Sequence, residues 1–448
     1  MNEGDVTVRE ISWRDILPWN IIYRAFGLSI SMPILTLASI GLLLTPLGWH
    51  AGFSLFLNVD DKVVASKRKL DKYQQVYQRW SENKPLSDKD KQKSIAERAR
   101  NRIFNINEYT DSTIWDLHVE PFAQMFRLKL QGEPFHMRLL AFFVVGNLWT
   151  LAVWSLFGGA ITRIAVVQMG RNERVGMTEA MSFAMKKFGS FFLSPLVPIL
   201  AIACLCIPAA IMGLFMQADW GVVLIGLVWV FALVGGLLLT ILLVGLLFGW
   251  PLMWGAISSE IQGDVFEATS RSYSYTYQRP LHYLFYAIIA TIVGVLGSTL
   301  VLFFAETVLY MTEWGLSWGA GANRMSEILL ANQAETYSTG RQIILFFNSL
   351  VRVVAEAFNY SFFWCGAAAI YLLLRRNVDH TEFDEVFVEE EVDRFGIPPL
   401  DTDEQGVPII ADEPAAPADE PVAPAEGEST GEGESTGEGE STGQDEPN

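Results

Sequence analysis

Cysteine is nearly missing from this chain. Of 448 residues only Cys204, Cys206 and Cys365 are cysteines, and each lies inside an apolar block. That excludes a disulfide framework and a thiolate metal cluster, and leaves the thiols as small apolar residues. Histidine is almost as scarce, at five. His118-Val-Glu120, and His380 near Glu382 and Asp384, stand apart from other ligands at metal-site spacing. Neither an HExxH pair nor a phosphate-cradling glycine loop occurs. Charged residues make up 18% of the chain against 51% hydrophobic. They are absent from several blocks longer than 20 residues, the signature of membrane-spanning helices, which excludes a purely soluble protein. No cleavable signal peptide is evident. The first apolar block follows Arg24 and runs past Trp49, too long for a signal core, so it reads as an anchor.

What charge there is divides sharply. The total of −18 combines −22 in residues 377–448, where 23 acidic side chains face the single Arg394, with +4 in residues 1–376. The chain is a mildly basic membrane body with a strongly acidic tail, and neither part offers a nucleic-acid-binding surface.

The expected order is as follows. Residues 1–25 mix Trp13, Trp19 and Tyr23 with Arg9, Arg14 and Arg24, a composition for an interfacial segment at the headgroups. A first span lies within 26–56, with Pro33 and Pro46 near its ends. Residues 57–138 form an aqueous insert. There Val63, Leu70, Tyr73, Tyr77 and Trp80 mark a narrow apolar stripe on one helix, and Ser87 with Asp90 caps a second, so a helical hairpin is predicted. Five further spans fill 139–376. Trp220 and Trp250 read as the two aromatic anchors of the fourth span, about 45 Å apart along a helix. Gly245 and Gly249 give that span a GxxxG face for a neighbouring helix. Amphipathic inner helices follow the second and fourth spans, one with Met177, Ala180, Met181, Ala184 and Phe188 on one face, the other carrying Tyr273, Tyr275, Tyr277 and Tyr283.

Orientation follows from Lys and Arg at the span ends. With the N-terminus inside, twelve of them, from Arg9 to Arg376, flank the inner side, against Arg324 and Arg341 outside. The predicted fold is therefore an all-α, six-span integral membrane bundle with interfacial amphipathic helices, an extracytoplasmic helical hairpin, and both termini cytoplasmic. The tail at 377–448 turns Pro-, Ala- and Glu-rich and repeats EGESTG three times. It cannot bury enough apolar surface to order itself, so it is predicted to be disordered.

Several segments carry a resemblance. GGAITRIA (Gly158–Ala165), SRSYSYTYQRPLHYLFY, IYLLLRR (Ile370–Arg376), TEFDEVFVEEE and FGIPPL are similar to stretches of uncharacterised bacterial multi-pass membrane proteins, over roughly residues 139–400. The resemblance implies a bacterial cytoplasmic-membrane location and brings no activity with it.

Candidate chemistry is thin. Asn348, Arg352, Glu356 and Asn359 recur at steps of four, four and three, one face of the last span. Arg352 lies 23 residues before Arg375, about 35 Å along a helix, against a hydrocarbon core of about 30 Å. With Arg375 at the inner boundary, the Arg352–Glu356 pair falls at the outer one, where an i,i+4 contact is structural. The other reading is a polar conduit wall. Arg163, His282 and Glu306 close span ends, where long side chains snorkel to the interface. Gly315-Leu-Ser317-Trp-Gly319 matches GxSxG, but it falls between spans rather than at a strand-to-helix elbow and reads as chance. In the tail, Phe383, Phe387 and Phe395 punctuate the acidic run and could dock on basic groups of the body such as Arg171, Arg174, Lys186 and Lys187. No catalytic, cofactor or metal site is expected. The expected partners are the lipid bilayer and other proteins, reached through the hairpin and the tail. The predicted role is a non-enzymatic scaffold or assembly component, the alternative a channel or carrier for a neutral or lipid-like substrate.

Overall fold

A computed structural model of the chain describes residues 17–56, 137–260, 263–330 and 338–386. The predicted insert at 57–138, apart from residues 137 and 138, and the tail from Phe387 onward, Phe395 included, lie outside the described residues. Every regular element among the described residues is helical. A 3₁₀ turn at Pro18–Asn20 leads into α1 (Ile21–Ser29) and α2 (Met32–Phe56). Next come α3 (Met137–Gly170), α4 (Met177–Lys186), α5 (Phe188–Phe215) and α6 (Asp219–Leu227). The chain continues with α7 (Trp229–Ser259), α8 (Val265–Gln278), α9 (Pro280–Ala320), α10 (Ala322–Leu330) and α11 (Ser338–Asp379).

Six of these, α2, α3, α5, α7, α9 and α11, are long and apolar enough to cross a membrane. The chain has the make-up of a multi-pass membrane protein. In such a helix a hydroxyl is best satisfied within the protein, without help from water. Thr36, Thr45, Thr150, Thr162, Thr240, Thr291, Thr299 and Thr307 meet this locally, each donating to the carbonyl one turn back.

The least apolar of the six helices is the central one. In α11 89% of the most apolar window is buried, whereas the corresponding shares in α5 and α7 are 11% and 6%. Around α11 pack α1, α2, α3, α7 and α9. Glycines let aromatic rings approach helix backbones: a Cβ on Gly158 would stand 2.6 Å from the Trp254 ring, and one on Gly255 2.6 Å from Tyr371. Gly297 takes the ring of Phe26 in the same way, Gly146 that of Trp49, and Gly48 that of Trp149. The α2–α3 pair is pinned further, since Trp49 Nε1 donates to Thr150 Oγ1 at 2.9 Å and Trp149 Nε1 to the Leu44 carbonyl at 3.0 Å.

Several sequence expectations need correction. Pro46 lies well inside α2, not at its end. The stretch from Trp220 to Trp250 is not one straight helix, because the chain breaks at Val228 between α6 and α7. Helix α9 does not stop near Glu306 but runs on to Ala320, 41 residues in all from Pro280, where Gly321, at φ +82°, caps it. Gly315–Gly319 is therefore helical, and Ser317 Oγ donates to the Trp314 carbonyl at 2.6 Å. On α4 the buried face is Ala180, Phe183 and Ala184, while Met177 and Phe188 are exposed.

Helix α8 begins at a side-chain N-cap. Asp264 accepts from the Glu267 amide at 2.7 Å, with Glu267 at the third helical position. The tyrosines that follow do not all lie free at a lipid surface. Tyr273, Tyr277 and Tyr283 donate to the α7 carbonyls of Leu242, Ile241 and Phe248, and Ser272 to that of Gly249. The GxxxG of α7 is the seat for this helix: the Tyr273 ring covers Gly245, and Ser272 covers Gly249.

Candidate functional site

The polar residues gather at two levels of α11. At the first, Arg352 Nε meets Glu306 Oε1 of α9 at 2.9 Å, a pair between helices whose side chains are 23% and 14% exposed. The sequence placed Glu356 opposite Arg352 within one helix, whereas the contact that ties this level together reaches across to α9. An Arg on one helix and a carboxylate on another fix the rotational setting of both, because the paired geometry exists at one register only. Asn348, Glu356 and Asn359 share this side of α11 and are all half-buried. Asn147 of α3 is buried and bonds its own helix, Nδ2 to the Phe143 carbonyl at 2.8 Å.

Between the two levels the packing is aromatic. Trp254 of α7 stacks on Trp364 of α11 with centroids 4.1 Å apart, and Trp154 of α3 stacks on Tyr360 at 4.9 Å. Trp250 meets Trp364 edge-on at 5.6 Å, and Phe191 of α5 meets Trp254 at 5.7 Å. Trp254 Nε1 donates to the Phe191 carbonyl at 3.0 Å, so its polar edge is satisfied. Beside this cluster Arg163 does not snorkel outward. It is 3% exposed, donates Nη1 to the Ser258 carbonyl at 2.6 Å, and lies 4.3 Å over the Phe183 ring. The α4 ring and the end of α7 hold it inside.

The second level holds the densest charge. Glu260, just past α7, pairs with Arg271 of α8 at 3.0 Å and with Arg375 of α11 at 3.2 Å. Arg271 also pairs with Glu267 at 2.8 Å and approaches Asp379 to 3.6 Å, and the Tyr275 hydroxyl donates to Asp379. Below the rings, Ser259 Oγ donates to the Tyr371 hydroxyl at 3.1 Å. Burial works against the charge of Arg271, but Glu260 and the adjoining phenols outweigh it and hold the guanidinium more firmly protonated than usual. Burial, then the neighbouring phenol of Tyr371 and the Asp379 carboxylate, pushes the Tyr275 phenol up, and burial, with the Tyr277 phenol beside it, brings Tyr273 to about 12. Arg271, Tyr273 and Tyr275 thus keep their protons across neutral pH. The ion pairs of Glu260 join the end of α7 to α8 and α11.

Two left-handed residues end the helices at this level, Asn172 after α3 and His380 after α11. Arg24 ties α1 to the first, donating to the Gln168 and Met169 carbonyls at 3.4 Å and to Asn172 Oδ1. After His380 the chain folds back on the bundle. Phe383, one of the three tail aromatics, lies against the Arg376 guanidinium at 5.0 Å. Helix α11 runs to Asp379, so the acidic segment starts as helix and then as packed chain before residue 387.

Sequence reasoning overlooked Glu260, the hub of this level. A signal was there: Glu260 is the first charge after the uncharged run from Trp220 to Ser259. No family model, curated protein or solved structure matches the chain.

Proposed function

We propose that the protein is a non-enzymatic scaffold or assembly component of the bacterial cytoplasmic membrane. Its Arg375 end and both termini face the cytoplasm, and it contacts other proteins through the insert at 57–138 and the acidic tail. One observation carries this reading. The space between α3, α7 and α11, where a carrier would house its substrate, is filled by stacked rings, Trp254 on Trp364 and Trp154 on Tyr360. Aromatic stacks against glycine backbones make a stiff support, and ion pairs tie the central helix to its neighbours at Arg352, about a third of the way along, and at Arg375 near its last turn. The test is gentle purification of the full chain with crosslinking and mass spectrometry. A stable partner that is lost when residues 389–448 are removed supports the scaffold, and a chain that purifies alone under every condition counts against it.

The second reading, a channel or carrier for a neutral or lipid-like substrate, draws on the half-buried polar level at Arg352, Glu306 and Glu356. Flux in reconstituted vesicles that disappears in Arg352→Met, with the chain still folded, would favour it over the scaffold.

A further inference from the structure

The acidic tail is not joined to the bundle by a loose hinge. Residues 380–386 leave α11 through the left-handed His380 and turn back across the end of α3. Their grip comes from three sources. Two are arginines reading the strap's backbone: Arg375 Nη1 donates to the Glu385 carbonyl at 2.8 Å, and Arg171 Nη1 to the Val386 carbonyl at 3.3 Å. The third is apolar: Val386 is 3% exposed within the core, and Phe383 packs beside it. The strap lies directly on Gly170, where a Cβ would come within 2.5 Å of the Phe383 carbonyl oxygen and 2.9 Å of Val386. The strap's own amides are engaged too, Val386 N–H with the Asp384 carbonyl at 2.8 Å and Glu382 N–H with Glu385 Oε1 at 3.3 Å.

The acidic side chains contribute little of this. Glu382, Asp384 and Glu385 are exposed, and the ion pair of Glu382 with Arg376 is long, at 3.6 Å. Exposed pairs of that kind are weak and screened by salt. Arg375 is different. Its side chain is 7% exposed, and it holds Glu260 at the end of α7 while it holds the strap. The strap thus touches α3 and α11 directly, and α7 through a single guanidinium.

We propose that residues 380–386 are a strap that clamps the ends of α3 and α11 by its backbone and by Phe383 and Val386. Anything that pulls on the acidic tail then acts on these helix ends and, through Arg375, on α7. The use of this coupling rests on the scaffold reading; the clamp itself is tested apart from it.

The experiment is hydrogen exchange with mass spectrometry on the full chain in phosphatidylcholine nanodiscs, following the amides of residues 381–386. Val386→Asp from the strap side and Gly170→Val from the body side should each speed their exchange by roughly tenfold or more. Glu382→Gln, Asp384→Asn and Glu385→Gln together, or high salt, should change it by less than about twofold. Release by neutralisation or salt overturns the proposal, as does unchanged protection in Val386→Asp. Should Val386→Asp or Gly170→Val fail to fold, Phe383→Ala and Gly170→Ala put the same question more gently, with the same directions expected. A strap that exchanges freely in the unaltered chain also overturns it, whatever the tail binds. A protected strap on a chain that captures no partner counts against the scaffold alone.

Discussion

At the scale of single residues, small side chains govern this bundle more than large ones. Gly158 leaves a gap that the Trp254 and Trp364 rings fill from the other side. Gly158→Val should therefore destabilise by about 1–3 kcal/mol through overpacking, read as a lower thermal transition and altered near-ultraviolet circular dichroism from the stacked indoles. Gly189 has nothing within 4 Å of where a Cβ would stand, so Gly189→Ala should be neutral or slightly stabilising. The Arg352–Glu306 pair makes a second residue-level test. Removing either partner deprives a half-buried charge of this 2.9 Å contact, whereas removing both does not. Arg352→Met or Glu306→Leu alone should cost about 2 kcal/mol or more, and the double variant should recover much of it in a thermal double-mutant cycle. Additive losses would mean the two do not interact. The GxxxG motif was legible in the sequence at this scale. That Gly158 and Gly255 would seat rings of other helices was not, because both partners lie far along the chain.

At the scale of elements, α8 shows how amphipathic periodicity underdetermines a partner. A helix rich in tyrosine with arginine beside it suits a headgroup surface, and the sequence supports that placement. The hydroxyls nevertheless find α7 carbonyls, because a protein acceptor at fixed distance costs no repeated ordering of lipid or water. Replacing Tyr273 and Tyr277 of α8 together by Phe should raise amide exchange across α8 several-fold and lower stability by roughly 1 kcal/mol per lost hydroxyl bond, and adding Tyr283→Phe at the start of α9 should lower it further. The same helix has an alkaline limit. The Tyr273 phenol is raised in the folded chain to about 12, from a usual 10, so the folded state binds this proton more tightly than the unfolded one. Its contribution is intact below about pH 10 and is lost as pH climbs toward 12. Phenolate absorbance should thus rise late, and a thermal transition followed across that window should fall as it does. Appearance of all the phenolate near pH 10 would mean that α8 stands away from α7.

At the scale of the whole molecule, the six long helices are ordered by an inverse relation. As mean hydropathy over the best window rises from 1.4 in α11 through 1.6, 1.8, 2.4 and 2.5 to 2.8 in α7, the buried share falls from 89% through 50%, 50%, 17% and 11% to 6%. In water the most apolar helix would be innermost. Lipid tails are as apolar as leucine and give no such drive, so the outermost helices can be the most apolar. The central one is free to carry the small, aromatic and charged side chains that make specific contacts. The insert at 57–138 and the tail beyond Val386 are the natural places for a partner under the scaffold reading, and removing residues 389–448 should abolish co-purification while leaving the thermal transition within a degree or two.

The existence of the six apolar helices, the acidic character of the tail, and the interruption of the apolar blocks near Arg163 and Arg375 were already written in the amino-acid order. Each is read from local composition, and the apolar runs are those a bilayer demands over about 20 consecutive residues. Which helix stands at the centre, that Arg352 reaches Glu306 of another helix, that Arg163 turns inward under Phe183, and that Glu260 joins Arg271 to Arg375 were settled by assembly alone. These choices depend on ring against glycine and charge against charge between segments up to about a hundred residues and more apart, and no local pattern encodes such a meeting.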